Sequence, residues 1–306
     1  MTNLADHEER MSRARVALDG LSVGDAFGER FFGPASFVEV LIRHRELPPS
    51  PWWYTDDTEM ALGIVEVLDA HGRIDQDVLA TTFARRYAAE PRRGYGGTAH
   101  RILREIGAGR PWRDASNEVF DGMGSMGNGG AMRVAPVGAY FADEYPIIGE
   151  EACRSAEVTH ASVEGQAGAI AVAVATAWTW RRGQYGAAAD QAEVTELFAR
   201  VLEHTPDSLT RAGVARAADL PLGFDVRTAV AALGSGLRMT AQDTVPLCIW
   251  LAARHLDDYV EAMWQTVGAG GDIDTNCAIV GGIVVMAMGA AGIPPAWLAA
   301  REELKW

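Results

Sequence analysis

The chain has 306 residues, 48% of them apolar and 22% charged, enough to bury a sizeable core. Its net charge of −14 and the lack of any Lys/Arg stripe exclude electrostatic binding to unmodified nucleic acid or to an anionic membrane. Cys153, Cys248 and Cys277 are widely spaced and form no CxxC pair, and the charged N-terminus, Met1 to Arg10, has no apolar h-region. Together these point to the cytoplasm, without disulfides or structural zinc.

Residues 11–28 read as a helix, with Val16, Leu18, Leu21, Val23 and Phe27 apolar. Gly20, Gly24 and Gly28 recur every four residues, at a cost of about 1 kcal/mol each relative to alanine, which suits a close approach by another helix or a ligand. Asp25 and Glu29 share a face; they are solvated charges, a cap, or carboxylates looking into a site. Phe31 to Pro51 reads as irregular, broken by Pro34, Pro48, Pro49 and Pro51. Trp52-Trp53-Tyr54 then leads into Thr55-Asp56-Asp57-Thr58-Glu59-Met60, a helix start capped by Thr55 or Asp56. Acids at a helix N-terminus are common without metal. Adjacent carboxylates repel, however, and keeping both ionised in an interior takes a cation or a set of donors.

From 75 to 118 the pattern stays helical, turning at Pro91 to Gly97 and at Gly109-Arg110-Pro111. Gly122 to Gly130 then holds five glycines in nine residues. It is either a flexible turn or a loop whose amides approach a diphosphate, helped by the positive end of a helix expected from Ala131. Thr159-His160 precedes a nearly uncharged helix, Gly165 to Trp180, where a histidine is more often a cap or core residue. Residues 187–267 read as further helices, with starts at Thr244-Val245-Pro246 and Asp257-Asp258. Asn276 to Leu298 carries no charge, but Gly281-Gly282, Gly289 and Pro294-Pro295 interrupt it, so a buried helix fits better than a membrane span. Strand signals are almost absent. The expectation is a single all-α domain over 1–306.

Gly270-Gly271-Asp272-Ile273-Asp274-Thr275 opens that last helix much as the Thr55 segment opens its own. Two Asp/Thr clusters at two buried helix starts can face one another across a cleft, offering four carboxylates and two hydroxyls. Oxygen-only donors select magnesium, manganese or calcium, and two ions with bridging carboxylates are the suggested arrangement. The plainer alternative is two capped helices.

Five segments now combine: Gly24-Asp25-Ala26-Phe27-Gly28, Thr55-Asp56-Asp57-Thr58, Gly127-Asn128-Gly129-Gly130-Ala131-Met132-Arg133, Thr159-His160 and Gly271-Asp272-Ile273-Asp274-Thr275. In this order the chain resembles the ADP-ribosylglycohydrolase family, which includes the dinitrogenase-reductase-activating glycohydrolase and hydrolases of ADP-ribosyl-arginine and ADP-ribosyl-serine. Each motif alone is weak; five in order are specific, and they span residues 24 to 289. The resemblance implies an all-α orthogonal bundle with two magnesium or manganese ions in a central cleft. Thr55, Asp56, Asp57, Asp272, Asp274 and Thr275 would be the metal ligands, and Asp56, Asp57 or Glu29 the base. Gly124 to Met132, including Ser125, Met126, Gly127, Asn128 and Gly129, would hold the diphosphate and distal part of ADP-ribose. Phe120 would stack on adenine, and His160 would lie near the adenosine-side ribose. Three departures stand out. Many members carry a glutamate four residues after the glycine of the first motif, whereas Glu29 follows Gly28 directly; Ile273 replaces a small polar residue; and Asn276 stands where an apolar residue is common.

The expected function is release of ADP-ribose by a monomeric hydrolase from a modified protein or a small ADP-ribosyl compound, with an arginine linkage ahead of serine or O-acetyl linkages. The Gly127 to Arg133 loop looks more like the serine enzymes. The competing readings are a non-catalytic ADP-ribose binder and a two-metal phosphohydrolase cutting the diphosphate.

Overall fold

The computed structural model describes residues 4–184 and 190–306; Met1 to Asn3, and 187–189 of the span expected to be helical, lie outside the described residues. Among those described, the regular elements are helices. The first half holds α1 (Leu4–Gly28), α2 (Ala35–His44), α3 (Asp56–His71), α4 (Gln76–Ala89), α5 (Gly97–Gly107), α6 (Trp112–Asn117), α7 (Gly129–Met132), α8 (Ala135–Tyr140) and α9 (Tyr145–Glu157). The second holds α10 (Val163–Gly183), α11 (Gln191–His204), α12 (Leu209–Asp219), α13 (Val226–Leu233), α14 (Ala241–Arg254), α15 (Tyr259–Ala269), α16 (Ile273–Met288) and α17 (Pro295–Ala300). Extended pairing is limited to two isolated bridges, Trp52 with Arg301 and Gly127 with Thr240. The fold is all-α, and no helix among the described residues is long and apolar enough to cross a membrane.

The glycine stripe of α1 lies against the backbone of α16. A Cβ at Gly24 would fall 2.2 Å from the Cys277 carbonyl oxygen, and one at Gly20 would fall 2.5 Å from that of Gly281. The approach is reciprocal, since a Cβ at Gly281 would meet the Gly20 carbonyl oxygen at 2.4 Å. This contact sets the last turns of α1 beside the first turn of α16. Asp25 is thereby brought to Asp274 across 249 residues of chain, counted from their numbers.

Two local expectations need correction. The proline-rich stretch contains α2, because Pro34 stands just before its first residue and Pro48 to Pro51 come after its end. Prolines in those positions bound a helix without breaking it. The helix expected to start at Thr244-Val245-Pro246 begins at Ala241, and Pro246 sits inside it with its ring against the position a Cβ of Gly213 would take, 2.5 Å from Pro246 Cγ.

An aromatic cluster anchors the segment before α3. Phe27 stacks on Trp297 at 4.5 Å between centroids and lies 5.4 Å from Trp52. The Trp52 amide donates to the Ala300 carbonyl at 2.7 Å, and the Glu302 amide to the Trp52 carbonyl at 2.9 Å. Burying these three large rings fixes the start of α3 relative to α1 and the C-terminal segment.

Candidate metal centre and ligand cavity

Thr55 is the N-cap of α3, its hydroxyl accepting from the Asp57 amide. The same hydroxyl lies 2.9 Å from Asp25 Oδ1 and 3.0 Å from Asp57 Oδ2. Asp25 is the hub. It accepts from the Thr55 amide at 2.9 Å, from the Thr58 amide at 3.1 Å and from the Thr58 hydroxyl at 2.5 Å. Three carboxylates from three helices, Asp25, Asp57 and Asp274, each bring an oxygen within 4.8 Å of the others. Asp272 is tied to the glycine loop, its Oδ2 accepting from Asn128 Nδ2 at 2.6 Å.

Burial pushes all five carboxyls up, and repulsion from neighbouring carboxylates adds to it at Asp56, Asp57 and Asp274. Burial is the larger cause for Asp57, followed by Asp25 and Asp274, and it raises Asp274 likewise. Asp25 rises to about 6 by burial, partly offset by its threonine donors, and Asp56 to about 7 by burial and the Asp25 charge. Asp272 also moves up through burial, against the Asn128 hydrogen bond. None of the five has an ion-pair partner among the described residues. Asp57 Oδ1 and Asp274 Oδ1 are buried with no hydrogen-bond partner. Carboxylates gathered this closely, two of them with an orphaned buried oxygen and with no nitrogen or sulfur donor in the set, fit a hard divalent cation.

The cluster forms one wall of a cavity of about 560 Å³, a size typical of small-ligand sites. The residues predicted for the site line it, except Gly124, Gly130 and Ala131 of the loop and except Glu29 and Thr55, which face a neighbouring cavity. Phe120 stands at the rim, 52% exposed, with Phe120 and Asp121 both in the left-handed backbone region at φ 54° and 56°. The glycine loop differs from expectation. It runs into α7, a helix of one turn, so no long helix dipole stands behind it. Its glycines allow contact with the N-terminus of α10: Gly124, at φ 70°, would place a Cβ 2.6 Å from the Ser162 amide nitrogen.

His160 is buried beside this loop. Its Nδ1 lies 2.7 Å from the Thr159 hydroxyl, which accepts from the Arg133 guanidinium at 2.8 Å. The Thr159 oxygen therefore has its own proton free for Nδ1, which puts the imidazole proton on Nε2, the nitrogen nearest Gly127 and Gly129. Burial and the Arg133 charge push the imidazole down to about 3, so it is neutral. Arg133 is fully buried, its guanidinium over the Phe83 ring at 4.6 Å, and burial lowers it to about 9.

Asp25, which the sequence leaves open as a cap, a solvated charge or a carboxylate looking into a site, and Arg133 are not among the residues expected to bind metal or substrate. The signal for Asp25 was its place in the glycine-striped helix; Arg133 gave none beyond closing the glycine motif.

A sequence model of ADP-ribosylglycohydrolases matches residues 6–306. ADP-ribosylhydrolase ARH3 of Mus musculus is 28% identical, the match covering 94% of this chain and 86% of that protein. An uncharacterised protein of Archaeoglobus fulgidus is 30% identical over 94% of this chain and 91% of its own. A solved structure, an ADP-ribosylglycohydrolase-related protein complex, superposes with a TM-score of 0.68 at 27% identity, covering 96% of this chain and 94% of that one. With its motifs in order and the match running nearly end to end, this chain belongs to the ADP-ribosylglycohydrolase family.

Proposed function

We propose that this glycosidic hydrolase releases ADP-ribose from an oxygen-linked acceptor, serine first, with two magnesium or manganese ions held by the aspartate cluster. The observation that carries the reading is the gathering of carboxylate oxygens of Asp25, Asp57 and Asp274 within 4.8 Å of one another, with Asp57 and Asp274 each keeping a buried, unpartnered Oδ1, beside a cavity that the glycine loop also lines. Asp25, Asp57, Asp274, Asp56 and Asp272 would hold the ions, with Thr55 and Thr275 at the two helix starts. Bound ions would supply electrostatic stabilisation at the ribose and an acidified water. The chain's own contribution is positional. Asn128 joins the loop to Asp272, so the diphosphate side and the cluster keep a fixed spacing, and the anomeric carbon is presented in one orientation. Asp56 lies at the cavity wall, placed to accept a proton from the attacking water. Phe120 at the rim and neutral His160 below the loop fit the adenine and distal ribose.

Serine is placed ahead of arginine because no carboxylate outside the cluster lines the cavity to receive a guanidinium, and because the Gly127 to Arg133 loop looks like the serine enzymes. Arginine stays as the second reading on one observation, the half-buried Glu29 carboxylate without hydrogen-bond partner in the adjoining cavity. The test offers ADP-ribosyl-serine, ADP-ribosyl-arginine and O-acetyl-ADP-ribose with magnesium and follows the products. Free ADP-ribose, fastest from the serine compound, is expected. AMP plus ribose-phosphate would assign a phosphohydrolase instead, and no product from folded, metal-loaded protein would leave only a binder.

A further inference from the structure

A second cavity, of about 400 Å³, lies against the back of the Thr55 segment. Asp56 faces the first cavity and Thr55 the second, while Gly94 lines both. Gly94 has φ 93°, and a Cβ there would stand 3.3 Å from Asp56 Oδ1 and 3.7 Å from Thr55 Cβ. Gly94 adds no side chain of its own to the shared wall, which leaves the Thr55–Asp56 segment as what stands between the two spaces. The wall is braced: the Asp56 amide donates to the Arg93 carbonyl at 2.6 Å, and Arg93 Nη1 to the Tyr54 carbonyl at 3.0 Å. Arg93 also pairs with buried Glu302, whose Oε1 accepts from the Tyr54 amide at 3.0 Å.

The free groups of this second cavity are of mixed character. Trp53 is 54% exposed, next in sequence to buried Tyr54. Arg92 is exposed, and neither its guanidinium nor the Glu29 carboxylate has a hydrogen-bond or ion-pair partner among the described residues. The remaining charges are matched, Arg93 with Glu302 and Lys305 with Glu90 at 2.6 Å. An aromatic face, one cation and one carboxylate around a braced, solvent-open hollow suit a stretch of polypeptide, which offers apolar side chains and both signs of polar group at once.

From this shared wall and the chemistry of its far side we infer that the second cavity is the docking site for the polypeptide segment that carries the ADP-ribosyl group. The inference rests on the hydrolase reading: with the diphosphate at the glycine loop and the anomeric carbon at the aspartates, the acceptor leaves on the far side of the Thr55–Asp56 pair, past Gly94. Trp53 and Arg92 are its contacts, and neither touches ADP-ribose. They act on the choice of acceptor.

The experiment compares wild type with Trp53→Ala/Arg92→Ala on an ADP-ribosylated peptide and on ADP-ribosyl-serine lacking any peptide. Removing an exposed aromatic anchor and a cation should lower kcat/KM for the peptide about tenfold and leave the small substrate within about twofold. Equal losses on both substrates, or no loss on the peptide, would overturn the inference. If wild type releases nothing from either substrate, the hydrolase reading has failed by itself. Calorimetry then decides docking: tighter binding of the modified peptide than of free ADP-ribose by wild type but not by the double variant supports it, and equal affinities overturn it.

Discussion

Asp25 accepts both the amide and the hydroxyl of Thr58 and the amide of Thr55, so its charge organises the start of α3 as well as the metal centre. Asp25→Asn would turn an amide donor toward groups that already donate, but it also removes one repelling charge from the cluster. The expected outcome is a metal-free melting temperature near that of wild type, with the rise on adding magnesium at least halved, checked by thermal unfolding with and without the ion. A wild-type rise in the variant would show that Asp25 serves α3 alone. Thr159 gives a second residue-scale prediction. Thr159→Val deletes the donor to His160 Nδ1 and leaves Arg133 one partner fewer. Nitrogen NMR should show the Nε2-protonated tautomer in wild type and Thr159→Ser, and a mixture in Thr159→Val. KM should rise about three- to tenfold with kcat little changed, as expected for loss of about 1 kcal/mol in uniform binding.

At the scale of elements, the contact between α1 and α16 sets the distance between Asp25 and Asp274. Gly24→Ala would drive a Cβ into the Cys277 carbonyl at 2.2 Å, a backbone atom that cannot rotate away. The helices must part, at a cost of about 1–3 kcal/mol, and metal affinity should fall with stability because the two aspartates separate. Gly107→Ala is the control. It sits at the end of α5 with only the Ala84 Cβ near, at 3.8 Å, and should stabilise the protein by about 0.4–1 kcal/mol without touching metal affinity. Thermal unfolding and metal titration of both variants decide the point. The period of Gly20, Gly24 and Gly28 was readable as a demand for close approach, whereas its partner was not, since nothing local in the sequence of α16 announces which helix it meets. The same limit leaves Asp25 undecided between a cap and a site residue. Two Asp/Thr pairs could be matched by likeness, but an aspartate near the end of a helix looks like any cap until α16 is laid beside it. α2 escapes the sequence for a different reason: Pro34 and Pro48 to Pro51 read as interruptions, whereas they stand outside the helix they delimit.

On the scale of the whole molecule, five buried carboxyls inside a chain of net charge −14 make stability depend on pH and on metal together. Each is raised above its unfolded value, so the metal-free native state binds more protons than the unfolded chain. The cluster's contribution is fully present below the unfolded carboxyl range and is lost as pH rises through the folded values. With Asp25 near 6, Asp56 near 7 and Asp57 and Asp274 pushed well up, the loss extends above pH 6.5. His160 opposes it only at lower pH: its folded value is depressed, so its contribution is complete above the unfolded pKa of about 6.5 and is lost as pH falls toward about 3. Between pH 6.5 and 8 the carboxyls act without it. The melting temperature in EDTA is therefore expected to fall across that window, and to fall less in Asp57→Asn, which removes one of the titrating groups. Magnesium should reverse the sign for wild type, because binding draws protons off the cluster and becomes tighter as pH rises. At a hundredfold excess over Kd the ion contributes about 2.7 kcal/mol, on the order of 5 °C for a chain of this size. A metal-free melting temperature that climbs from pH 6.5 to 8, or a magnesium shift independent of pH, would mean that the aspartates are already ionised and balanced by the fold without a cation.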